Sequence, residues 1–216
     1  MQALSKLVYV VTTEVEPEWE DEFNRWYDQE HLPALMSVPG YLSGRRYVAV
    51  EGAPKYMAFW EIESLEAYRS PEHDRAANTP WGERLRPHRK AQLAFFRQVF
   101  PPDGVLRGAA WGDGDVQPGG LLTVRLEVAS EHEQGLRDWY DREHLAALAG
   151  VPGTIATRRF EAIEGGPKFL AVYYLTSPEV QASEAWKRAI DTPWSARARE
   201  TFRTRWRVVY QPLDGR

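Results

Sequence analysis

The 216-residue sequence contains no cysteine. Disulfide bonds, thiolate metal sites, iron–sulfur clusters and a cysteine nucleophile are therefore excluded. Long apolar runs are also missing, since none approaches the roughly 18 residues that a membrane span needs. The N-terminal segment has neither the apolar core nor the small-residue cleavage site of a signal peptide. These absences predict a cytoplasmic protein without a membrane segment.

An excess of positive charge is missing as well. The chain has 27 Lys and Arg against 31 Asp and Glu, a net charge of −4. It therefore lacks the basic field that holds nucleic acid, and nucleic acid is not an expected partner. No GxGxxG follows a predicted strand and no GxxxxGK(S/T) occurs, so we expect no nucleotide cofactor. HxxxH and HxH pairs are absent too, and no metal site is expected.

Aromatic residues, by contrast, are abundant, with 9 Trp, 10 Tyr and 8 Phe. Aromatic area on this scale can line a large apolar pocket as well as a core. The hydrophobic share of 43% and the charged share of 27% are ordinary for a folded chain of one or two domains. We therefore expect a globular protein whose partner is a small-molecule substrate.

Two copies of one pattern fill most of the chain. WYDQEHLPAL begins at Trp26, and WYDREHLAAL begins at Trp139. The other motifs that recur are VPG at Val38 and Val151, RRY or RRF at Arg45 and Arg158, EGAPKY or EGGPKF at Glu51 and Glu164, and TPW at Thr79 and Thr192. Every pair is 113 residues apart, as are His31 and His144. Such regularity indicates a tandem repeat.

The repeat predicts the domain organisation and the fold. A first repeat is expected over 1–100 and a second over 121–216, joined by a Gly-, Pro- and Asp-rich linker over 101–120. The pattern of each repeat predicts a strand, a long helix (Pro17 to about Met36 in the first), a hairpin, a second helix and a last strand. This β-α-β-β-α-β order is that of a ferredoxin-like unit, and the fold class is α+β. Two such sheets, pairing through their strands, would form a closed barrel.

The pattern WYDxEHLxAL, followed by VPG and RRY on a unit present twice, resembles the dimeric α/β-barrel superfamily, and in particular its EthD-like branch. The resemblance covers both repeats and implies one pseudo-dimeric α/β barrel formed by a single chain. The superfamily includes cofactor-free monooxygenases, polyketide cyclases, muconolactone isomerases, haem-degrading oxygenases and haem peroxidases. The resemblance therefore defines the fold more narrowly than the reaction.

The first candidate for chemistry is a histidine on the first helix. Phe23, Tyr27, His31 and Leu35 are spaced by four and share one face, which the apolar residues mark as inward. An imidazole there could give or take a proton at neutral pH, with Tyr27 as a proton donor. The alternative is a structural histidine held near the VPG turn. The second-repeat counterparts are Tyr140 and His144.

Paired arginines are the second candidate. Arg45 and Arg46 point to opposite faces of their strand, so one guanidinium per repeat is expected in the helix-side cavity. It could bind a substrate carboxylate or enolate. Alternatively, because a buried arginine must be paired, it meets a carboxylate and holds the barrel together. The second-repeat counterparts are Arg158 and Arg159, and the candidate carboxylates are Glu51, Glu61 and Glu161.

Four residues of the first repeat are expected to bind substrate: Tyr9, Trp60, His73 and Trp81. The second repeat has Tyr173 in place of Trp60 and Trp194 in place of Trp81, whereas Leu122 and Trp186 replace Tyr9 and His73. Glu61 likewise becomes Tyr174. Because the first repeat keeps more titratable groups, we predict the larger polar cavity, and the active one, in that repeat.

The leading functional expectation is a cofactor-independent acid–base enzyme, of the isomerase, cyclase or lyase type, acting on a small hydrophobic, aromatic or polyketide-like molecule. One alternative is an oxygenase, either without a cofactor or with a haem bound by His31, His73 or His144. The other alternative is a small-ligand-binding barrel without turnover. A homodimer of chains is compatible with the sequence but not required by it.

Overall fold

A computed structural model describes residues 5–112 and 117–213. Its strands are β1 (Leu7–Val15), β2 (Tyr41–Glu51), β3 (Tyr56–Ile62), β4 (Arg89–Phe100), β5 (Leu106–Arg107), β6 (Gly120–Val128), β7 (Thr154–Glu164), β8 (Phe169–Leu175) and β9 (Phe202–Pro212). Its helices are α1 (Glu20–Trp26), α2 (Leu32–Met36), α3 (Leu65–Tyr68), α4 (Pro71–Ala77), α5 (Pro80–Leu85), α6 (Glu133–Trp139), α7 (Leu145–Ala149), α8 (Glu184–Ile190) and α9 (Pro193–Glu200). None of the described helices is long and apolar enough to cross a membrane.

Within these ranges, eight strands close into one antiparallel barrel. The first half, β1–β4, has the strand order β4-β1-β3-β2, and the second half, β6–β9, has the order β9-β6-β8-β7. The halves join where β2 pairs with β9 and where β4 pairs with β7. The prediction of an α+β barrel formed by one chain is confirmed.

Both halves contribute to an apolar barrel interior. Val8 and Phe96 from the first half meet Leu121 and Phe160 from the second, and all four are buried. Outside the barrel, α1–α5 cover the first half and α6–α9 cover the second, each with its own core. Because the sheet is covered on both faces, a strand such as β3 is buried along its whole length.

The first helix is less regular than the sequence predicts. A 3-10 turn over Pro17–Trp19 leads into α1, and a π-helical turn over Tyr27–His31 joins α1 to α2. The second half has the same π-helical turn between α6 and α7, at Tyr140–His144. Ala146 stands there in place of Pro33, so the proline is not the cause of the irregularity.

The predicted linker over 101–120 contains a short strand. Leu106 and Arg107 form β5 and pair with Thr157 and Ala156 of β7. This part of the connection is therefore fastened to the barrel, because its backbone groups continue the sheet. Residues 113–116 of the predicted linker lie outside the described residues.

The hairpin turn of each half rests on a strand of the other half. Gly52, between β2 and β3, has φ +89°, and a Cβ there would lie 2.8 Å from the carbonyl oxygen of Arg207 on β9. Gly165, between β7 and β8, has φ +71°, and its Cβ would lie 2.6 Å from the carbonyl oxygen of Leu93 on β4. Both positions require glycine. The two turns flank the same end of the barrel.

Candidate functional site

The repeated motif stacks an imidazole on an indole in each half. The ring centroids of His31 and Trp26 are 4.2 Å apart, and those of His144 and Trp139 are 4.0 Å apart. Five positions separate each pair, and in a regular α-helix such side chains would point about 140° apart. The π-helical turn brings them together because it has more residues per turn.

Other residues of the motif tie the first helix of each half to the TPW segment. Glu30 accepts a hydrogen bond from the indole N–H of Trp26 at 3.0 Å and another from the hydroxyl of Thr79. In the second half, the hydroxyl of Thr192 donates to Glu143 at 2.7 Å. Because these bonds join separate helices, much of the motif's recurrence is explained by folding.

The second arginine of each pair lies on the helix side and is already satisfied. Arg46 is buried and donates to Asp28 at 2.7 Å and to Asn24 at 2.6 Å. Its guanidinium lies 4.3 Å from the ring centre of Tyr27, which is itself buried. The counterpart Arg159 is buried and bonded to Asp141 and Glu161. These ion pairs correspond to the structural alternative for the arginines.

The first arginine of each pair has a different position in the two halves. Arg158 is fully buried inside the barrel, where it is ion-paired with Glu61 of the first half and donates to Gln98 at 2.6 Å. Arg45 is exposed and bonded to Gln117. The Arg158–Glu61 ion pair joins the two halves. Because Arg158 lies inside the barrel and Arg45 is exposed, neither guanidinium enters the helix-side layer.

Burial makes both motif histidines weak bases. It lowers the pKa of His31 to about 3, helped by the charge of Arg89, and it lowers the pKa of His144 to about 3, helped by Arg199. A general base works best with a pKa near the operating pH, so neither ring suits proton abstraction at pH 7. Nδ1 of each ring is buried without a hydrogen-bond partner.

A chain of hydrogen bonds joins three aromatic side chains of the first half. The hydroxyl of Tyr9 donates to that of Tyr41 at 3.2 Å, and Tyr41 contacts Nδ1 of His73 at 2.6 Å. Burial raises the pKa of both phenols and lowers the pKa of the imidazole, so all three groups are neutral at pH 7. Tyr41 then donates to His73, and the oxygen of Tyr9 keeps lone pairs free to accept a further hydrogen bond.

Trp60 lies against this chain. Its indole stacks on Tyr9 at 5.8 Å, is 0% exposed, and has an N–H group without a partner. Gly44 faces it across the β2–β3 pair, and a Cβ at Gly44 would lie 2.3 Å from the indole. The glycine therefore makes room for the tryptophan. The ring centroids of Trp60 and His31 are 6.4 Å apart. Two polar atoms without partners, Nε1 of Trp60 and Nδ1 of His31, therefore belong to one aromatic cluster.

The corresponding layer of the second half has different side chains. Leu122 replaces Tyr9, Thr154 replaces Tyr41, and Trp186 replaces His73. Tyr173 stands in place of Trp60, and its hydroxyl is buried without a partner. Trp186 packs edge-on against Tyr173 at 5.5 Å. No hydrogen-bonded chain like that of the first half is left at these positions.

Trp81 and Trp194 pack at the edges of the two helix-side cores. The indole N–H of Trp81 donates to Glu22 at 3.0 Å, which anchors α5 to α1. Trp194 packs at the edge of the second-half core. Both are partly buried, so the structure assigns Trp81 an anchoring contact where the sequence predicts a pocket wall.

Sequence reasoning missed two residues of the first-half cluster, Tyr41 and Tyr68. Tyr68 is partly exposed and lies 4.2 Å from His73 and 5.3 Å from Tyr9, between ring centroids. Each differs from its counterpart at the repeat offset, Thr154 for Tyr41 and Gln181 for Tyr68. The comparison of repeats that singled out Tyr9 would have found both, had it been applied to every position.

Two surface clefts adjoin Arg46, with volumes of about 630 and 810 Å³. Arg46, Gln211 and Leu213 line both of them. The larger also contains Arg45, and the smaller contains Tyr56. Neither includes His31 or His144. Of the predicted arginines, Arg45 and Arg46 therefore border these clefts, and neither cleft contains Tyr9 or Trp60.

A haem does not fit around the three candidate ligands. His31 and His144 are each stacked on an indole, and Nδ1 of His73 is engaged by Tyr41. Nor do three or more His, Asp or Glu side chains of the described ranges come together as a set that could hold a metal ion.

No protein-family model and no curated protein matches the chain, but solved structures do. An anthrone oxidase-like protein has a TM-score of 0.68 and 16% identity, over 100% of this chain and 95% of that one. A Lactobacillus acidophilus NCFM protein named as a monooxygenase has a TM-score of 0.58 and 10% identity, over 95% and 93%. A variant of chlorite dismutase from Candidatus Nitrospira defluvii has a TM-score of 0.64 and 14% identity, over 97% and 93%. At these identities the similarity shows a shared α+β-barrel fold.

The expected acid–base isomerase, cyclase or lyase is wrong. The three similar proteins are named for oxidation, oxygenation or chlorite dismutation, and none is named for isomerisation or cyclisation. The site agrees with this correction, because a pKa of about 3 makes His31 too weak a base for proton abstraction at neutral pH.

Proposed function

We propose that the protein is a cofactor-free oxidase or oxygenase that uses molecular oxygen on a small phenolic aromatic substrate. The observation that carries the proposal is the Tyr9–Tyr41–His73 chain beside two buried polar atoms without partners, Nε1 of Trp60 and Nδ1 of His31. The second half has a similar unpartnered pair at His144 and Tyr173 but lacks the chain. Buried polar groups are rarely left unpaired, and oxygen atoms of a bound substrate would satisfy them. The similarity to an anthrone oxidase-like protein supports the choice of oxygen chemistry.

The chain from Tyr9 to His73 supports a phenolic substrate. Because Tyr9 donates its own proton to Tyr41, its oxygen can accept a hydrogen bond from a substrate hydroxyl. The rings around Tyr9, among them Trp60 stacked on it, form aromatic surroundings against which a substrate ring could pack. Tyr68, the partly exposed member of the cluster, lies where such a ring would enter and must turn aside to admit it.

The reaction we propose is oxidation of an activated CH₂ group to a ketone. A proton from the carbon passes through Tyr9 and Tyr41 to His73, and the enolate left behind adds O₂ at that carbon to form a peroxide anion. The anion takes a proton to become a hydroperoxide, which loses water and leaves the C=O group. One O₂ is consumed and one H₂O released per substrate. The N–H of Trp60 would stabilise the developing oxyanion, and the Tyr9–Tyr41–His73 chain would hold the proton in transit.

A hydroxylated anthrone is the test substrate, followed by oxygen uptake and quinone absorbance. We expect one O₂ consumed per quinone at a rate above that in buffer, with a metal chelator present. Trp60→Phe should lower kcat by about 10²-fold, as is typical for removal of one oxyanion donor. Tyr173→Phe is the matched control from the second half, and its kcat should stay within about twofold of the original protein.

Oxygen uptake equal to that in buffer would rule out the oxidase. An equal loss of kcat in Tyr173→Phe and Trp60→Phe would rule out a site confined to the first half. Saturable binding of the anthrone without oxygen uptake would favour the remaining alternative, a small-ligand-binding barrel without turnover.

The finer family assignment is also a proposal. The motif at Trp26 and Trp139 supports membership of the EthD-like branch, and the two equivalent strand orders support a tandem pair of ferredoxin-like repeats. The repeat limits, the cytoplasmic location and a homodimer of chains stay predictions.

A further inference from the structure

A separate cavity of about 610 Å³ opens at the end of the barrel flanked by the two hairpin turns. Both halves contribute to it, with Pro54 from one turn and Pro167 from the other. Strand residues of β4, β6 and β9 complete the wall. The cavity is of the size that proteins use for small ligands, and none of the residues that line it belongs to the Tyr9–Tyr41–His73 chain.

Arg125 of β6 faces this cavity and is an exception among the buried arginines. Of the four buried arginines in the described ranges, Arg46, Arg158 and Arg159 are each ion-paired with a carboxylate. Arg125 is only 7% exposed, yet it makes no hydrogen bond or ion pair with any described residue. Glu127 also lines the cavity but is exposed and lies beyond ion-pairing distance. A nearly buried cation without a partner is costly unless a ligand pairs with it.

Trp206 gives the same cavity an aromatic wall. It is directly opposite Arg125 in the β6–β9 register, so both side chains lie on one face of the sheet. Its side chain is 42% exposed, which is unusual for so large an apolar group. In the first half, Thr12 stands at the position equivalent to Arg125, and the residue opposite it on the neighbouring strand is Gln92. This pair has neither the charge nor the ring.

We propose that this end of the barrel binds a small carboxylate ligand with a flat apolar body, the carboxylate on Arg125 and the flat body on Trp206. The guanidinium fork matches the two oxygens of a carboxylate, and such charge-assisted bonds are strong where water is scarce. Apolar wall residues accept the rest of the molecule, namely Pro54, Leu93, Ala94 and Pro167. The proposal does not depend on the function assigned to the helix-side cluster.

Benzoate is the probe, titrated into the whole protein by isothermal calorimetry, with benzyl alcohol as its neutral analogue. We expect one saturable benzoate site per chain and binding of benzyl alcohol at least tenfold weaker. Arg125→Gln should weaken benzoate binding at least tenfold, and Trp206→Ala should weaken it severalfold. Arg203→Gln, which removes an exposed arginine of β9, is matched in charge and should leave binding within about twofold.

Absence of saturable benzoate binding would overturn the proposal, as would equal affinity for benzyl alcohol. Equal weakening by Arg203→Gln and Arg125→Gln would show a general effect of charge and overturn it too. If Arg125→Gln fails to fold, benzoate binding by Trp206→Ala, a change at an exposed position, tests the proposal. In that case, unchanged benzoate binding by Trp206→Ala overturns the proposal, and weakened binding together with rejection of benzyl alcohol supports it.

Discussion

The two halves of the barrel brace their helices alike but differ in what the helices cover. In both, a histidine stacks on a tryptophan, an arginine meets an aspartate, and a threonine is bonded to a glutamate. Against this common frame, the first half places the hydrogen-bonded chain of Tyr9, Tyr41 and His73, and the second half places apolar side chains and a threonine. The residues shared by the two halves hold the fold, and the residues that differ between them mark candidate chemistry.

The same lesson applies to exchanges that involve two positions at once. Gly44 faces Trp60 in the first half, and Thr157 faces Tyr173 in the second. Glycine, the smaller of the two facing residues, is found with tryptophan, the larger ring. The total volume of each pair is therefore similar, while the polar group of the ring changes from an indole N–H to a phenol hydroxyl. Arg125 with Trp206, against Thr12 with Gln92, is a second such difference, at the barrel end.

The largest difference between the halves is expected for the first arginine of each RR pair. Arg158→Met leaves Glu61 buried without its cation and should lower the free energy of unfolding by about 3–5 kcal/mol. Arg45→Met, at the exposed counterpart, should change it by less than about 0.5 kcal/mol. Urea denaturation followed by circular dichroism measures both. Equal losses would show that the Arg158 ion pair does not join the halves energetically.

Replacing Gly44 and Trp60 by threonine and tyrosine, the residues at the equivalent second-half positions, tests whether the sizes of the two facing residues are coupled. Gly44→Thr alone should lower the free energy of unfolding by about 1–3 kcal/mol, because its Cβ meets the fully buried indole of Trp60. Adding Trp60→Tyr should recover part of this loss. The reverse exchange is the control, since Tyr173→Trp should be tolerated better together with Thr157→Gly than alone. Strict additivity in both double variants would contradict the proposed coupling.

The smallest effect concerns pH, and here the halves should behave alike. Both motif histidines have a folded-state pKa of about 3, below the unfolded value of about 6.5, so protons bind the unfolded chain preferentially. Their contribution to stability is therefore complete above about pH 6.5 and is lost as the pH falls towards 3. Each should cost about 1 kcal/mol of unfolding free energy between pH 6 and pH 5.

His31→Phe and His144→Phe test this pH effect. Each variant should flatten the pH dependence of urea denaturation by a similar amount. If only one variant changes the pH dependence of the unfolding free energy, the two imidazoles differ in protonation, and the two halves do not behave alike.

Much of the fold could be predicted from the sequence because its signals are local or repeated. The offset between His31 and His144 predicted two halves of equivalent strand order, and alternating apolar residues predicted the hairpin strands with only small shifts at their ends. The π-helical turn could not be predicted, since Trp26 and His31 give no local sign that their rings stack.

For the candidate site, the sequence by itself determined which positions diverge between the copies, and it therefore singled out Tyr9, Trp60 and His73. Only the tertiary structure decided that Tyr41 links Tyr9 to His73, that Arg158 pairs with Glu61, and that Arg125 has no partner. The reason is physical: burial and ion pairing depend on which strands become neighbours, and closure of the barrel brings together residues that are distant along the chain.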